Sequence, residues 1–388
     1  MSKSIKPFTL AIADEVLAGL RSRLAATRWP ERETVGDWSQ GVPLDRIKAL
    51  CDYWARDYDW RRCEARLNAF GQYQTEIDGL SIHFLHVRSR SPDAVPLVLT
   101  HGWPGSVVEF LDVIGPLTDP VAHGGDAADA FHVVIPSLPG FGFSGKPATT
   151  GWGVERIAAA WITLMTRLGY SRFLAQGGDW GAAVTTAIGM LAPPECAGIH
   201  LNMPLVYPEK EDMAQLTEAE QASVAAMKVY RHSDSGYAKL QRTRPQTLAY
   251  GLTDSPAAQA AWIYEKFHAW TDNRGEPESA LTRDAMLDNI MLYWLPATAA
   301  SSARLYWESL AFFKTQPLAL PVGVTIYPKE FSRPSRRWAE RHFANIIHWT
   351  ETDKGGHFAA FEQPELFVTE LRNCFRKIRL PLRSCLIK

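Results

Sequence analysis

The feature that most limits how this chain can fold is a set of short runs that read as buried strands, spaced by helical stretches. They are Val95–Thr100 (VPLVLT), Phe131–Ile135 (FHVVI), Arg172–Gln176 and Ile199–Asn202. A run without polar alternation needs cover on both faces, which is the situation of a parallel strand in a sheet flanked by helices. Ile157–Leu168 and Ala182–Leu191 have the helical character that such crossovers require. The rhythm stops near residue 206 and returns with Val322–Tyr327, Ile346–Thr350 and a last helix, Pro364–Phe375. Between them lies a stretch rich in Ala, Gln, Tyr and Trp, helical in texture and without buried strands. The expected fold is α/β: a doubly wound, mostly parallel sheet with an inserted helical cap and an N-terminal strap. Expected boundaries are 1–71 for the strap, 72–205 for the first part of the core, 206–315 for the cap and 316–388 for the rest of the core. A cap inserted at strand ends sits where open α/β sheets bind ligands.

The strap has less pattern. Ile12, Val16, Leu17, Leu20 and Leu24 recur at three- and four-residue steps, predicting one amphipathic helix that ends by Pro30. Residues 36–70 are aromatic and charged without a period, and Trp38, Trp54 and Trp60 read as anchors of a strap or second helix. Tyr73–Asp78 and Leu80–Val87 predict a hairpin that turns near Asp78-Gly79.

Charge and cysteine usage exclude several classes of function. The formal net charge is −1 with no basic run, which argues against nucleic acid or an anionic membrane as partner and leaves a small molecule. The start lacks an apolar leader and no stretch reaches 18 uncharged apolar residues, so neither membrane anchor nor secretion is expected. Cys51, Cys63, Cys196, Cys374 and Cys385 are scattered, with neither disulfide nor zinc spacing, which fits a cytoplasmic protein. No metal and no cofactor are expected, and a homo-oligomer is left open.

Gly177-Gly178-Asp179-Trp180-Gly181 follows a strand and opens a helix. Small residues around one central side chain form the tight turn on which α/β-hydrolases present their nucleophile, here aspartate in place of serine. Taken alone, the pentapeptide is equally well an N-cap aspartate after a glycine turn. Two further segments favour the nucleophile. His101–Ser106 (HGWPGS) follows an earlier strand, where this fold supplies an oxyanion-hole loop, so the backbone N–H groups of Trp103 and Trp180 are the expected donors. His357 lies in Gly355-Gly356-His357 after the last strand, and Glu330 follows the strand before it. Nucleophile, acid, histidine is the chain order of the fold. Most of the ten other histidines read as surface or core residues.

Aspartate changes the chemistry. A free aspartate has a pKa of about 3.9, so it needs no base to become a nucleophile. It suits attack on an sp³ carbon, forming an alkyl ester that a histidine-activated water then hydrolyses. The leaving group is a halide, which asks for weak donors such as indole N–H, or the ring oxygen of an epoxide, which asks for an acid. Tyr237 and Tyr306 in the cap are candidate acids, although most of the 12 tyrosines will be packing residues. Trp103, Trp180 and Phe141 are expected to line the substrate pocket.

At these residues the chain resembles the microsomal type of epoxide hydrolase, including juvenile hormone epoxide hydrolases and soluble fungal and bacterial relatives. The resemblance spans nearly the whole chain. It rests on Pro7-Phe8, Leu20–Trp29 (LRSRLAATRW), HGWPGS, Gln176–Gly181 (QGGDWG), His200–Met203 (HLNM), Glu265–Thr271 (EKFHAWT), Met291–Trp294 (MLYW) and Gly355–Gln363 (GGHFAAFEQ). It implies Asp179 as nucleophile, His357 as base, Glu330 as its orienting acid, and Tyr237 and Tyr306 as ring-opening acids. The implied activity is hydrolysis of a small-molecule epoxide to a diol, with haloalkane dehalogenation as the same-fold alternative. The animal enzymes' N-terminal membrane anchor has no counterpart at the start of this sequence.

Overall fold

A computed structural model describes residues 4–309 and 317–378. The expected end of the cap at 315 and Cys385 lie outside the described residues. Among the described residues nine strands form one sheet: β1 (Ile5–Pro7), β2 (Gln72–Ile77), β3 (Leu80–Val87), β4 (Val95–Thr100), β5 (Phe131–Pro136), β6 (Phe173–Gly177), β7 (Cys196–Leu201), β8 (Val322–Ile326) and β9 (Ile346–Glu351). Their order is β1-β2-β3-β5-β4-β6-β7-β8-β9. β1 to β3 run antiparallel and β3 meets β5 antiparallel. From β5 through β9 every pairing is parallel. Every residue of β4, β5, β6, β7 and β8 is buried, as strands without polar alternation demand. The β2–β3 turn falls at Asp78-Gly79, both at positive φ (51° and 79°), the backbone a two-residue hairpin needs.

The N-terminal segment corrects the sequence reading in detail. Its first helix, Asp14–Ala25, buries Leu17, Leu20 and Leu24, but Ile12 precedes it and Val16 is 47% exposed at the edge of the apolar stripe. The helix ends well before Pro30. Residues 36–70, expected as a strap or second helix, contain two helices, Leu44–Arg56 and Trp60–Ala69, with Trp54 and Trp60 buried. β1 was not expected at all, because three residues carry no readable period.

Between β7 and β8 the chain makes six longer helices, from Glu218–Val229 to Ala299–Glu308. The N-terminal helices bind this cap by side chains. The Tyr58 hydroxyl donates to Asp288 at 2.7 Å, Arg62 donates to both Asp288 oxygens at 2.8 and 2.9 Å, and Trp38 stacks on His268 at 3.8 Å. Among the described residues no helix is long and apolar enough to cross a membrane.

Candidate active site

β6 ends at Gly177, and two residues later Asp179 takes φ 51° and ψ −128° before the helix Trp180–Leu191 begins. A non-glycine residue held there costs on the order of 1–3 kcal/mol, so the surrounding packing must fix it. Gly181 is part of that packing: a Cβ at this position would lie 1.9 Å from the Thr100 carbonyl oxygen. Asp179 stands at the N-cap position, yet its side chain caps nothing. Its Oδ1 accepts instead from the backbone N–H of Trp103 at 2.8 Å. The capping reading of the Gly-Gly-Asp turn is thereby excluded.

Trp103 reaches Asp179 because the loop after β4 comes very close; a Cβ on Gly102 would sit 2.2 Å from Asp179 Oδ1. The cap holds that loop in place through the helix Arg283–Trp294. Asn289 Nδ2 donates to Pro104 O, the Tyr293 hydroxyl donates to Gly105 O, and the Ser106 hydroxyl donates to Asn289 Oδ1, each at 2.7 Å. The backbone aimed at Asp179 therefore depends on a helix more than 180 residues away in sequence.

Glu330 and His357 come from the loops after β8 and β9, and are 3% and 7% exposed. His357 Nδ1 lies 3.0 Å from each Glu330 carboxylate oxygen, and its Nε2 lies 3.4 Å from Asp179 Oδ2. The His357 N–H donates to Trp270 O at 2.9 Å, and Trp270 and Phe331 flank the ring. Burial pulls the imidazole pKa down, but the Glu330 and Asp179 carboxylates outweigh it and hold the group well above its ordinary value.

Asp179 also forms part of a cavity of about 460 Å³ between sheet and cap, lined among others by Trp180, Met203, Tyr230, Tyr237 and Tyr306. Tyr306 is buried, its ring edge-on to Trp180 at 4.7 Å, and its hydroxyl has no hydrogen-bond partner in the protein. Tyr237 stacks on Trp103 at 4.8 Å and its hydroxyl shares a 3.1 Å hydrogen bond with that of Tyr230. Burial raises both phenols well above the ordinary value, so each keeps its proton at neutral pH. Lys266, 2% exposed and paired with Asp234 at 2.6 Å, places its ammonium 4.5 Å from the Tyr237 ring.

The structure gathers Asp179, His357, Glu330, Tyr237, Tyr306, Trp103 and Trp180 within one region. Of the three residues expected to line the pocket, Trp180 lines the large cavity and the other two lie outside it. Phe141 is 1% exposed and packs edge-on against His101 and Tyr293, beneath the loop rather than in the cavity. Trp103 stacks on Tyr237 and lines the small cavity beside Asp179, not the large one. Tyr230, Lys266 and Glu109 were not singled out from the sequence. Lys266 falls inside the EKFHAWT segment, but no local signal marks a lysine as buried. Among the described residues no group of three or more His, Cys, Asp or Glu side chains is placed to hold a metal ion.

Comparison with known proteins gives a consistent picture. Residues 5–110 match the model of the epoxide hydrolase N terminus, and residues 95–295 match that of the alpha/beta hydrolase fold. A protein of Stigmatella aurantiaca, provisionally named an epoxide hydrolase, is 60% identical over 97% of this chain and 86% of its own length. Epoxide hydrolase 1 of Oryctolagus cuniculus is 33% identical over 95% of this chain and 88% of its own. Juvenile hormone epoxide hydrolase of Bombyx mori superposes with a TM-score of 0.89 at 31% identity, covering 97% of this chain and 95% of that one. The Aspergillus niger epoxide hydrolase superposes with a TM-score of 0.87 at 32% identity, covering 97% of each.

Proposed function

We propose a two-step covalent mechanism for this chain, which belongs to the epoxide hydrolase family on the α/β-hydrolase fold and is an epoxide hydrolase. One observation carries the mechanism. Asp179 Oδ1 is held by the Trp103 N–H, while Asp179 also lines the cavity that Tyr237 and Tyr306 line from the cap. Nucleophile and acids thus approach one ligand from sheet and cap.

In the first step Asp179 Oδ2 attacks an epoxide carbon, and the C–O bond of the ring breaks. Tyr306, with Tyr237, delivers a proton to the departing oxygen. A phenol that keeps its proton in the resting enzyme is available as a donor throughout the neutral range, and the Lys266 ammonium beside the Tyr237 ring opposes the negative charge left behind. Ester formation also removes the charge of Asp179, one of the two carboxylates that favour imidazolium. His357 then gives up its proton to solvent more readily and becomes the neutral base, and a proton from solvent restores the phenol.

In the second step His357 takes a proton from water, whose oxygen bonds to Asp179 Cγ. Negative charge develops on Oδ1, already at the Trp103 N–H, with the N–H of Trp180 as the second donor. Collapse breaks the bond between Cγ and the alkyl-bearing oxygen, and the alkoxide takes the proton from His357. The diol leaves with an oxygen that belonged to Asp179. Two buried tyrosines lining the cavity favour an epoxide over an alkyl halide, whose release needs no acid.

The test is one turnover in oxygen-18 water with enzyme in excess. The expected diol carries unlabelled oxygen, the label appearing in Asp179; a labelled diol in that first cycle would mean direct attack by water. His357→Gln is expected to trap the ester as a mass increment equal to the substrate. The described cysteines are buried and unpaired, which supports a reducing, cytoplasmic setting.

A further inference from the structure

We propose that Glu109 and Gln176 hold the hydrolytic water in a chamber separate from the substrate cavity, positioned against Asp179 Cγ; the inference rests on the covalent reading above. A small cavity of about 20 Å³ lies beside Asp179, with His357, Glu109, Gln176, Asn202 and Gly102 in its wall. It shares one lining residue, Asp179, with the substrate cavity, and His357 lines the small one alone. The base therefore faces the chamber, and the nucleophile stands as a partition between the two spaces. A volume of this order admits about one water, provided that polar partners surround it.

Those partners are present. Gln176 is 1% exposed, and its Oε1 has no partner in the protein, while its Nε2 is 3.3 Å from Asn202 Oδ1. Such an acceptor costs on the order of 1–3 kcal/mol if left unsatisfied, so it fits a site built for a donor. Glu109 is buried, with Oε1 accepting the Ser106 N–H at 2.9 Å. Gly105 makes room for that oxygen, since a Cβ there would lie 1.4 Å from it. Burial pushes the Glu109 carboxyl up to about 8, so at neutral pH it is a hydroxyl donor. The groups that face it are His357 after β9, Asp179 after β6, Glu362 on the helix Ala359–Glu362 and Tyr293 on the helix Arg283–Trp294.

Once the ester has formed and His357 is neutral, the assigned water donates its two hydrogens to His357 Nε2 and Gln176 Oε1. It accepts from Glu109 on one lone pair and presents the other to Asp179 Cγ. Gln176 and Glu109 hold that water while His357 is still protonated, so it is in place before the substrate fills the large cavity and hydrolysis does not wait for solvent to pass the bound ester. Glu109 is a positioning residue for the second half-reaction only.

The experiment separates the two half-reactions by single-turnover fluorescence with styrene oxide, alongside intact-protein mass. Glu109→Leu and Gln176→Met should leave the rate of ester formation unchanged, slow ester hydrolysis about tenfold or more, and accumulate the adduct. Glu109→Gln keeps both an acceptor for Ser106 and a donor for the water. It should hydrolyse the ester near the wild-type rate at pH 7, and lose the fall in hydrolysis that wild type shows above about pH 8. A merely structural Glu109 would not move that alkaline limb. Wild-type ester hydrolysis in Glu109→Leu, or an unchanged limb in Glu109→Gln, overturns the proposal. An adduct missing from every variant, His357→Gln included, overturns the covalent reading beneath it as well.

Discussion

Asp179, His357 and Glu330 were legible as single residues because each lies at a strand end where glycine or loop chemistry leaves a short-range mark. Tyr230, Lys266 and Glu109 carry no such mark. A buried lysine or protonated glutamate differs from a surface one only by neighbours distant in sequence, as Lys266 shows by meeting Asp234 and Tyr237. Two predictions belong to this scale. Tyr306→Phe should lower the rate of ester formation about 10²- to 10⁴-fold, the range for loss of a general acid, while the slower Tyr230→Phe effect should stay near tenfold. Stopped-flow tryptophan fluorescence reads both, and equal losses would make Tyr230 the proton donor instead. Gly181→Ala should prevent the turn at Asp179 from closing, because the added carbon meets the Thr100 carbonyl and not a yielding side chain. A soluble variant with wild-type melting temperature would contradict that steric account.

At the scale of elements, the helix Arg283–Trp294 does two jobs. One face clamps the loop carrying the Trp103 N–H, through Asn289 and Tyr293. The other takes the N-terminal segment through Asp288, whose carboxylate serves Tyr58 and Arg62. Asn289→Ala should cost about 1–3 kcal/mol for the acceptor and hydroxyl left unpaired. It should also lower kcat/KM by letting Trp103 drift from Asp179, measurable as a fall in activity at temperatures where the variant is still folded. Asp288→Ala should loosen the N-terminal helices from the cap and appear as faster proteolysis within residues 36–70, with the chemistry little changed. The short period-two and fully apolar strands were readable in the sequence because each is a local pattern. β1 was not, since three residues are too few to show a period. The helices Leu44–Arg56 and Trp60–Ala69 were missed although each buries one stripe, Ile47, Leu50, Cys51 and Trp54 in the first and Trp60, Cys63, Glu64 and Leu67 in the second, because cysteine and glutamate hide the apolar spacing.

For the whole molecule, pH should shape stability through buried groups of opposite sense. Burial lowers His83 and His200 to about 3 and His86, His101 and His132 to about 4. Their folded pKa values lie below the unfolded value of about 6.5, so the unfolded chain binds more protons as pH falls, and stability is lost from pH 6.5 downward. Glu109 and Glu362 are raised to about 8 and about 7, and His357 is also raised. In these the folded chain binds the extra proton, so stability is lost as pH rises through their folded values. Between about pH 4.5 and 6.5 the five histidines outnumber the two glutamates, and above it only the raised groups act. The melting temperature should therefore peak near pH 6.5 and fall on both sides; a plateau extending to pH 9 would contradict the raised carboxyls. The parallel sheet, the interrupting cap and the chain order Asp179, Glu330, His357 at successive strand ends follow from the amino-acid order alone, because strand burial and tight turns are written in neighbouring residues. Three-dimensional packing alone sets which cavity each aromatic residue meets, Trp180 the large one, Trp103 the small one and Phe141 neither, and puts Asp179 on the wall of both. Those facts depend on which surfaces meet when cap and sheet close, and contact between distant segments leaves no period in the chain.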